Sequence, residues 1–313
     1  MILGWQYSQD ILTKLNQKLS KHVNNEDLTI AVAGSFGRFE AGIPSDLDFF
    51  VVSCNDDCTN QQIHQTVTMF AKELNLNLPN NDGVFSKVLQ LPQIITAMGN
   101  QRETPDELAQ RLLLLVETQP IYNESFYEKA INDILDKYFD LHKNYPDKEA
   151  VILLNDLIKY FRYICMNYQF NFWNNEEKWV IRNIKLRHSR VVMYAGLLFV
   201  LLNASKYGKN KTAYIKEKIK LTPIERIVSV LTENYVDPSP LFECYDKYLG
   251  RINNAEVRKV FAADCPVKYT DRYKNPIFKE LKINSDQLQT FLTNSVLGMK
   301  KNWTQKAFEY LIF

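Results

Sequence analysis

Two carboxylates two residues apart, Asp46 and Asp48, follow closely on a glycine-serine pair, Gly34-Ser35. On an extended strand, residues i and i+2 share a face, so this spacing would present both carboxylates on one side, with Leu47 and Phe49 on the other. Like charges so close repel each other and raise one pKa. A divalent cation removes that penalty. Hard oxygen donors suit Mg²⁺, which takes one or two protein carboxylates together with substrate phosphates. A bare Asp-x-Asp also fits a polar strand edge or a helix cap. The preceding Gly-Ser shifts the balance. A glycine after a buried strand lets the backbone turn sharply and approach a ligand. Ser35 and the amides after it would open a short helix whose N-terminus favours phosphate. A phosphate site and a metal-carboxylate pair would then be joined by one short connection.

The block Gly34-Ser35-Phe36-Gly37-Arg38-Phe39-Glu40, followed by Ser45-Asp46-Leu47-Asp48, resembles the signature of the DNA polymerase β-like nucleotidyltransferase superfamily. Arg38 and Glu40 resemble the branch that contains the PII-protein uridylyltransferases. The likeness covers about 19 residues closely and the first 120 more loosely; Arg111 to Glu117 and the basic helix at 178–190 resemble the branch less specifically. The resemblance implies transfer of a nucleoside monophosphate from an NTP donor, with release of pyrophosphate. Mg²⁺ (or Mn²⁺) would be held by Asp46 and Asp48, and Gly34 and Ser35 would bind the β/γ-phosphates. Arg38 would add charge there, or else pair with Glu40 or another acid. The family pattern also expects a third carboxylate on a later strand. Asp82 is the candidate, although Asn81-Asp82-Gly83 is equally a turn sequence. Without a third acid the site would be slow, or would bind nucleotide without turnover.

The elements that must carry these residues are legible. Apolar positions from Ile11 to Val23 recur at helical spacing over 7–23. Leu28 to Ala33 is a β-branched strand running into Gly34, and Leu47 to Val52 is a second strand. Thr59 to Leu76 reads as a helix, and Val84 to Leu91 as a strand or a helix start. Thr104, Pro105 and Glu107 predict a capped helix through Val116. Beyond residue 120 the pattern becomes helical, over roughly 123–142, 147–171, 176–204, 222–234, 239–262 and 284–311. The expectation is an α+β fold: a small mixed-sheet nucleotidyltransferase domain over 1–120, then an all-α helical domain over 121–313. Gln119-Pro120 and Tyr145-Pro146-Asp147 are both weak boundary signals.

Within the helical part, Lys178 to Arg190 is the densest basic segment. At 100° per residue, Lys178, Arg182, Lys185 and Ser189 share a face. Related enzymes place a helix-borne cation on the triphosphate, which makes Arg182 and Lys185 candidate nucleotide-binding residues. A solvated face, or ion pairs with Glu176 and Glu177, is the alternative. The aromatic segment Tyr160 to Trp173 should mostly be core, and Arg162 within it needs a partner or a cleft.

Thirty-eight basic against 36 acidic residues leave a net charge of +2. That argues against a general basic coat for nucleic acid, though not against a local patch. Six lysines from Lys206 to Lys220 keep a tRNA acceptor open beside a protein or a small molecule. Five cysteines, with no Cys-x-x-Cys, argue against a disulfide framework; Cys54, Cys58 and His64 as metal ligands are disfavoured against reduced thiols. Four scattered histidines suggest no histidine-based mechanism. The apolar run Val191 to Leu202 is too short to span a bilayer and reads as a buried helix. Met1 to Asp10 lacks the pattern of a secretory signal, so the expected location is cytoplasmic with no membrane partner. No HD-type hydrolase segment or sensor domain is legible, so reversal and sensing are not carried over from the uridylyltransferases. Two other classes stay open: a nucleotide-binding regulatory or interaction protein, and a toxin or defence enzyme acting on tRNA.

Overall fold

A computed structural model describes residues 1–55, 58–78, 84–86, 88–140, 150–173, 179–263 and 269–312. The fold is α+β: mostly helical, with one small mixed sheet. The chain divides into two compact units, Ile2–Asn144 and Tyr145–Phe313, the latter together with Met1.

The first unit begins with α1 (Ile2–His22), then β1 (Leu28–Val32), the single turn α2 (Gly34–Gly37) and β2 (Phe49–Ser53). Helix α3 (Cys58–Glu73) and the two-residue β3 (Leu89–Gln90) lead into α4 (Leu91–Ala97) and α5 (Pro105–Glu117). Strand β4 (Gln119–Tyr122) and α6 (Glu124–Tyr138) complete it. The sheet order is β3-β2-β1-β4, with β2 and β4 antiparallel to β1, and β3 parallel to β2. Leu28, Ile30 and Val32 of β1 join Phe49 and Val51 of β2 in one core with α1 and α3. Helix α6 packs against β1. Both central strands are therefore buried along their whole length, which is why they read as unbroken apolar runs.

The capping box at Thr104 forms as expected. Thr104 Oγ1 accepts from the Glu107 amide at 3.2 Å, and Glu107 Oε2 accepts from the Thr104 amide at 2.8 Å.

The expected boundary at residue 120 is corrected. Strand β4 pairs with the central strand β1, with Val32 opposite Gln119, and α6 follows it onto the same sheet. The first unit thus includes α6, and the division falls at the Tyr145 signal instead. A four-residue strand containing Pro120 has almost no local signature, because its partner lies some 90 residues earlier.

The second unit contains α7 (Val151–Trp173), α8 (Trp179–Lys185), a π-helical turn (Leu186–Arg190) and α9 (Val191–Ala204). After these come α10 (Lys211–Lys218), α11 (Pro223–Glu233), α12 (Ser239–Ile252), α13 (Ala255–Ala263), α14 (Pro276–Met299) and α15 (Gln305–Ile312). The expected helices over 239–262 and 284–311 are each divided in two, at Asn253-Asn254 and around Lys300–Thr304. The stretch Trp179–Lys218 is long and apolar enough to span a membrane, yet 72% of its apolar window is buried inside the protein. It behaves as a core helix, with α9 buried nearly throughout.

The corrected boundary is testable with fragments. Residues 2–144 should give a cooperative thermal melt by circular dichroism. Residues 2–120, which cut β4 after Pro120 and remove α6, should not.

Candidate functional site

The Gly-Ser turn and the paired aspartates meet where β1 ends and β2 begins. The ladder continues one residue beyond the strands: the Ala33 amide donates to the Asp48 carbonyl at 2.8 Å. Gly34 then takes a left-handed φ of 62° and opens α2. A Cβ at this glycine would lie 2.8 Å from Asp48 Oδ2. The carboxylate therefore occupies the volume that any other residue 34 would fill, and glycine is required twice over. Ser35 is half-buried in the same turn. The first amides of a helical turn have no partner within the helix, so Gly34 to Phe36 present donors of that kind beside the carboxylate.

Leu47 and Phe49 belong to the core with α1 and α3, so Asp46 and Asp48 alternate to the opposite side. Asp46 is exposed and Asp48 half-buried. Both sit just before β2 rather than within it. Asn77 holds this lead-in segment, forming a parallel bridge to Asp46 and accepting the Leu47 amide at 2.8 Å. Upstream, Ser45 Oγ accepts from the Gly42 amide at 3.0 Å and closes the turn that enters the segment. Two hard carboxylate donors on one side, one of them open to solvent, are a donor set that Mg²⁺ or Mn²⁺ takes. Among the described residues no cluster of three His, Cys, Asp or Glu side chains occurs. Asp82, the expected third acid, lies outside the described residues.

Arg38 is placed differently from the phosphate-binding expectation. It is 7% exposed, its Nε donates to Glu40 Oε2 at 2.7 Å, and its Nη1 is paired with Glu117. This is the pairing with Glu40 weighed as the alternative, extended by a second acid. Phe39 between them adopts a left-handed φ of 56°, which ends α2 and lets Arg38 and Glu40 meet. Gly37 allows the approach from the other side, since a Cβ there would fall 2.1 Å from the Glu117 carbonyl oxygen. The triad pins the Gly-Ser turn to the end of α5. At the other end of the same Arg-Leu-Leu-Leu-Leu-Val-Glu segment, Arg111 is fully buried. It pairs with Glu103 at 2.5 Å and donates to the Tyr138 hydroxyl at 2.7 Å, tying α5 to α6. Arg38-x-Glu40 was legible in the sequence as a possible pair; nothing local marked Glu117 or Asn77.

Arg182 and Lys185 lie in the second unit, half-buried on α8, and neither is without a partner. Lys178 lies outside the described residues. Of the face expected for Arg182, Lys185 and Ser189, the first two are half-buried on α8, whereas Ser189 is buried in the π-turn at 186–190, where the helical phase shifts. His188 in that turn is fully buried, stacked on Tyr248 with ring centroids 4.3 Å apart. Its Nδ1 donates to the Ile184 carbonyl at 2.9 Å, and its Nε2 accepts from Asn284 Nδ2 at 3.1 Å. Burial pushes its pKa down to about 4. The lysine run beyond is also partly structural. Lys211 is 2% exposed, and Lys218 pairs with Glu233 at 3.0 Å, whereas Lys206, Lys209 and Lys220 are exposed.

Neither comparison with protein-family models nor comparison with curated proteins returns a match for this chain.

Two outcomes follow from this geometry. Arg38→Met strands two buried carboxylates and should cost about 3–5 kcal/mol in urea denaturation, with much of it recovered in the Arg38→Met/Glu40→Gln/Glu117→Gln variant. His188 titrates near 6.5 when unfolded and near 4 when folded, so the unfolded chain binds the extra proton between those values. Stability should be fullest above pH 6.5 and decline by about 3 kcal/mol as pH falls to 4. Urea melts of His188→Gln should lack that part of the slope.

Proposed function

We propose that the chain is a metal-dependent nucleotidyltransferase that moves a nucleoside monophosphate from an NTP to an acceptor and releases pyrophosphate. The small mixed-sheet unit is read as the nucleotidyltransferase domain. The observation that carries this reading is the seating of Asp48 Oδ2 against the left-handed Gly34. It brings a phosphate-binding type of turn and a metal-binding type of carboxylate pair to one end of the sheet. Neither a strand edge nor a helix cap calls for that combination.

In this reading Asp46 and Asp48 hold Mg²⁺ or Mn²⁺. The bound ion supplies Lewis-acid polarisation of phosphoryl oxygens and neutralises their charge. The amides of the Gly34–Phe36 turn and the Ser35 hydroxyl donate to the β- and γ-phosphates and orient the triphosphate for in-line attack at the α-phosphorus. The Arg38 triad acts behind the turn, fixing its backbone rather than touching phosphate. The acceptor is a protein, a small molecule or an RNA such as tRNA. The near-neutral charge and the structural use of Lys211 and Lys218 weigh toward the first two.

Incubation with each α-labelled NTP, Mg²⁺ or Mn²⁺ and an acceptor panel of cell protein, small molecules and tRNA tests the reading. Label should appear on one acceptor class. Asp46→Ala and Asp48→Ala should each reduce it about 100-fold or more, beyond what loss of a mere outer-shell partner costs. Transfer undiminished in both variants contradicts the assignment. Saturable nucleotide binding without transfer to any acceptor would favour the regulatory nucleotide-binding class instead.

A further inference from the structure

The helical unit holds a cavity of about 650 Å³ between α7, the π-turn with α9, and α14. That volume is within the range of drug-sized ligand sites. Its walls are mainly apolar, with Leu198, Phe199, Leu292 and Val296 among them. The charged residues that line it are Arg162 and Arg187. Each departs from what structure alone would ask.

Arg162 is an exposed guanidinium on an apolar stretch of α7, with no hydrogen bond or ion pair among the described residues. Its charge is felt by Cys165 and Tyr194, both on the cavity wall. Burial pushes the Tyr194 phenol up, so it stays a neutral donor. Arg187 donates to Asn183 Oδ1 at 3.2 Å, and the acid facing it among the described residues, Asp286, is 3.8 Å away and half exposed. Asp286 is itself held more closely by Lys282, at 2.6 Å, so the two arginines keep positive charge at the cavity for an anionic group. A guanidinium fork also matches a carboxylate in shape. Phe161 and Tyr194 already stack on each other at 4.4 Å and 14°, so an aromatic base has no ring gap to enter here. The apolar walls call instead for an aliphatic body.

We propose that this cavity binds a small organic carboxylate with an aliphatic tail, its carboxylate at Arg162 and Arg187 and its tail among Leu198, Phe199, Leu292 and Val296. The site lies wholly within the helical unit and does not rest on the nucleotidyltransferase reading. The π-turn is part of its construction: the extra residue per turn rotates Arg187 to the wall while His188 is turned into the core.

Calorimetric titration of the full chain with decanoate, and with decanol as the uncharged control, tests this. Decanoate should bind at one site, at least about tenfold more tightly than decanol. Arg162→Gln, at an exposed position, should weaken decanoate about tenfold and leave decanol unchanged. Leu297→Trp, on the exposed rim of the cavity, should weaken both. Absence of decanoate binding, equal affinity for the two ligands, or decanoate binding unaltered in both variants would overturn the proposal.

Discussion

A carboxylate lies where residue 34 would otherwise carry a side chain, and the first unit is arranged around that contact. Asp48 can approach Gly34 only because β1 and β2 pair in one register, continued by the Ala33–Asp48 hydrogen bond. A slip of one residue would turn Asp46 and Asp48 toward the α1–α3 core and bring Leu47 and Phe49 out. Burying both faces of these strands fixes the register, since each alternative would expose apolar side chains or bury unpaired acids. The Arg38–Glu40–Glu117 triad fixes the turn from behind, and Asn77 fixes the lead-in to Asp46. The Asp46 and Asp48 segment is thus held by backbone pairing, while the buried Glu40 and Glu117 are paired with Arg38.

The helical unit is organised by a different local constraint. One π-turn interrupts the long buried helix, sending His188 inward and Arg187 to a cavity wall. His188 is kept neutral by burial, with both ring nitrogens satisfied by Ile184 and Asn284. Its role is that of a core hydrogen-bonding residue.

Much of this was legible where signals are local. The capping box at Thr104, the apolar strands on either side of the Gly-Ser turn and the buried helix from Val191 all depend on near neighbours in sequence. The boundary after α6 is not legible locally because β4 is defined by β1, not by its own four residues. The face assigned to Arg182, Lys185 and Ser189 assumed 100° per residue, which a π-turn violates without any sequence mark. Arg38 shows the middle case: its pairing with Glu40 could be read from spacing, but the second acid, Glu117, is 79 residues away. Of the candidate site, Gly34 beside Asp48 was foreseeable from the block itself. The reason Gly37 must also be glycine, the Glu117 carbonyl packed against it, was not.

The central claim is that Gly34–Ser35 and Asp46–Asp48 form one phosphate- and metal-binding site. A crystal structure of the chain with Mn²⁺ and a non-hydrolysable NTP analogue tests it most directly. An anomalous Mn²⁺ peak is expected on the Asp46 and Asp48 carboxylates, with the β/γ-phosphates against the Gly34–Ser35 amides. Mn²⁺ ligated elsewhere, or a triphosphate bound away from that turn, would contradict it.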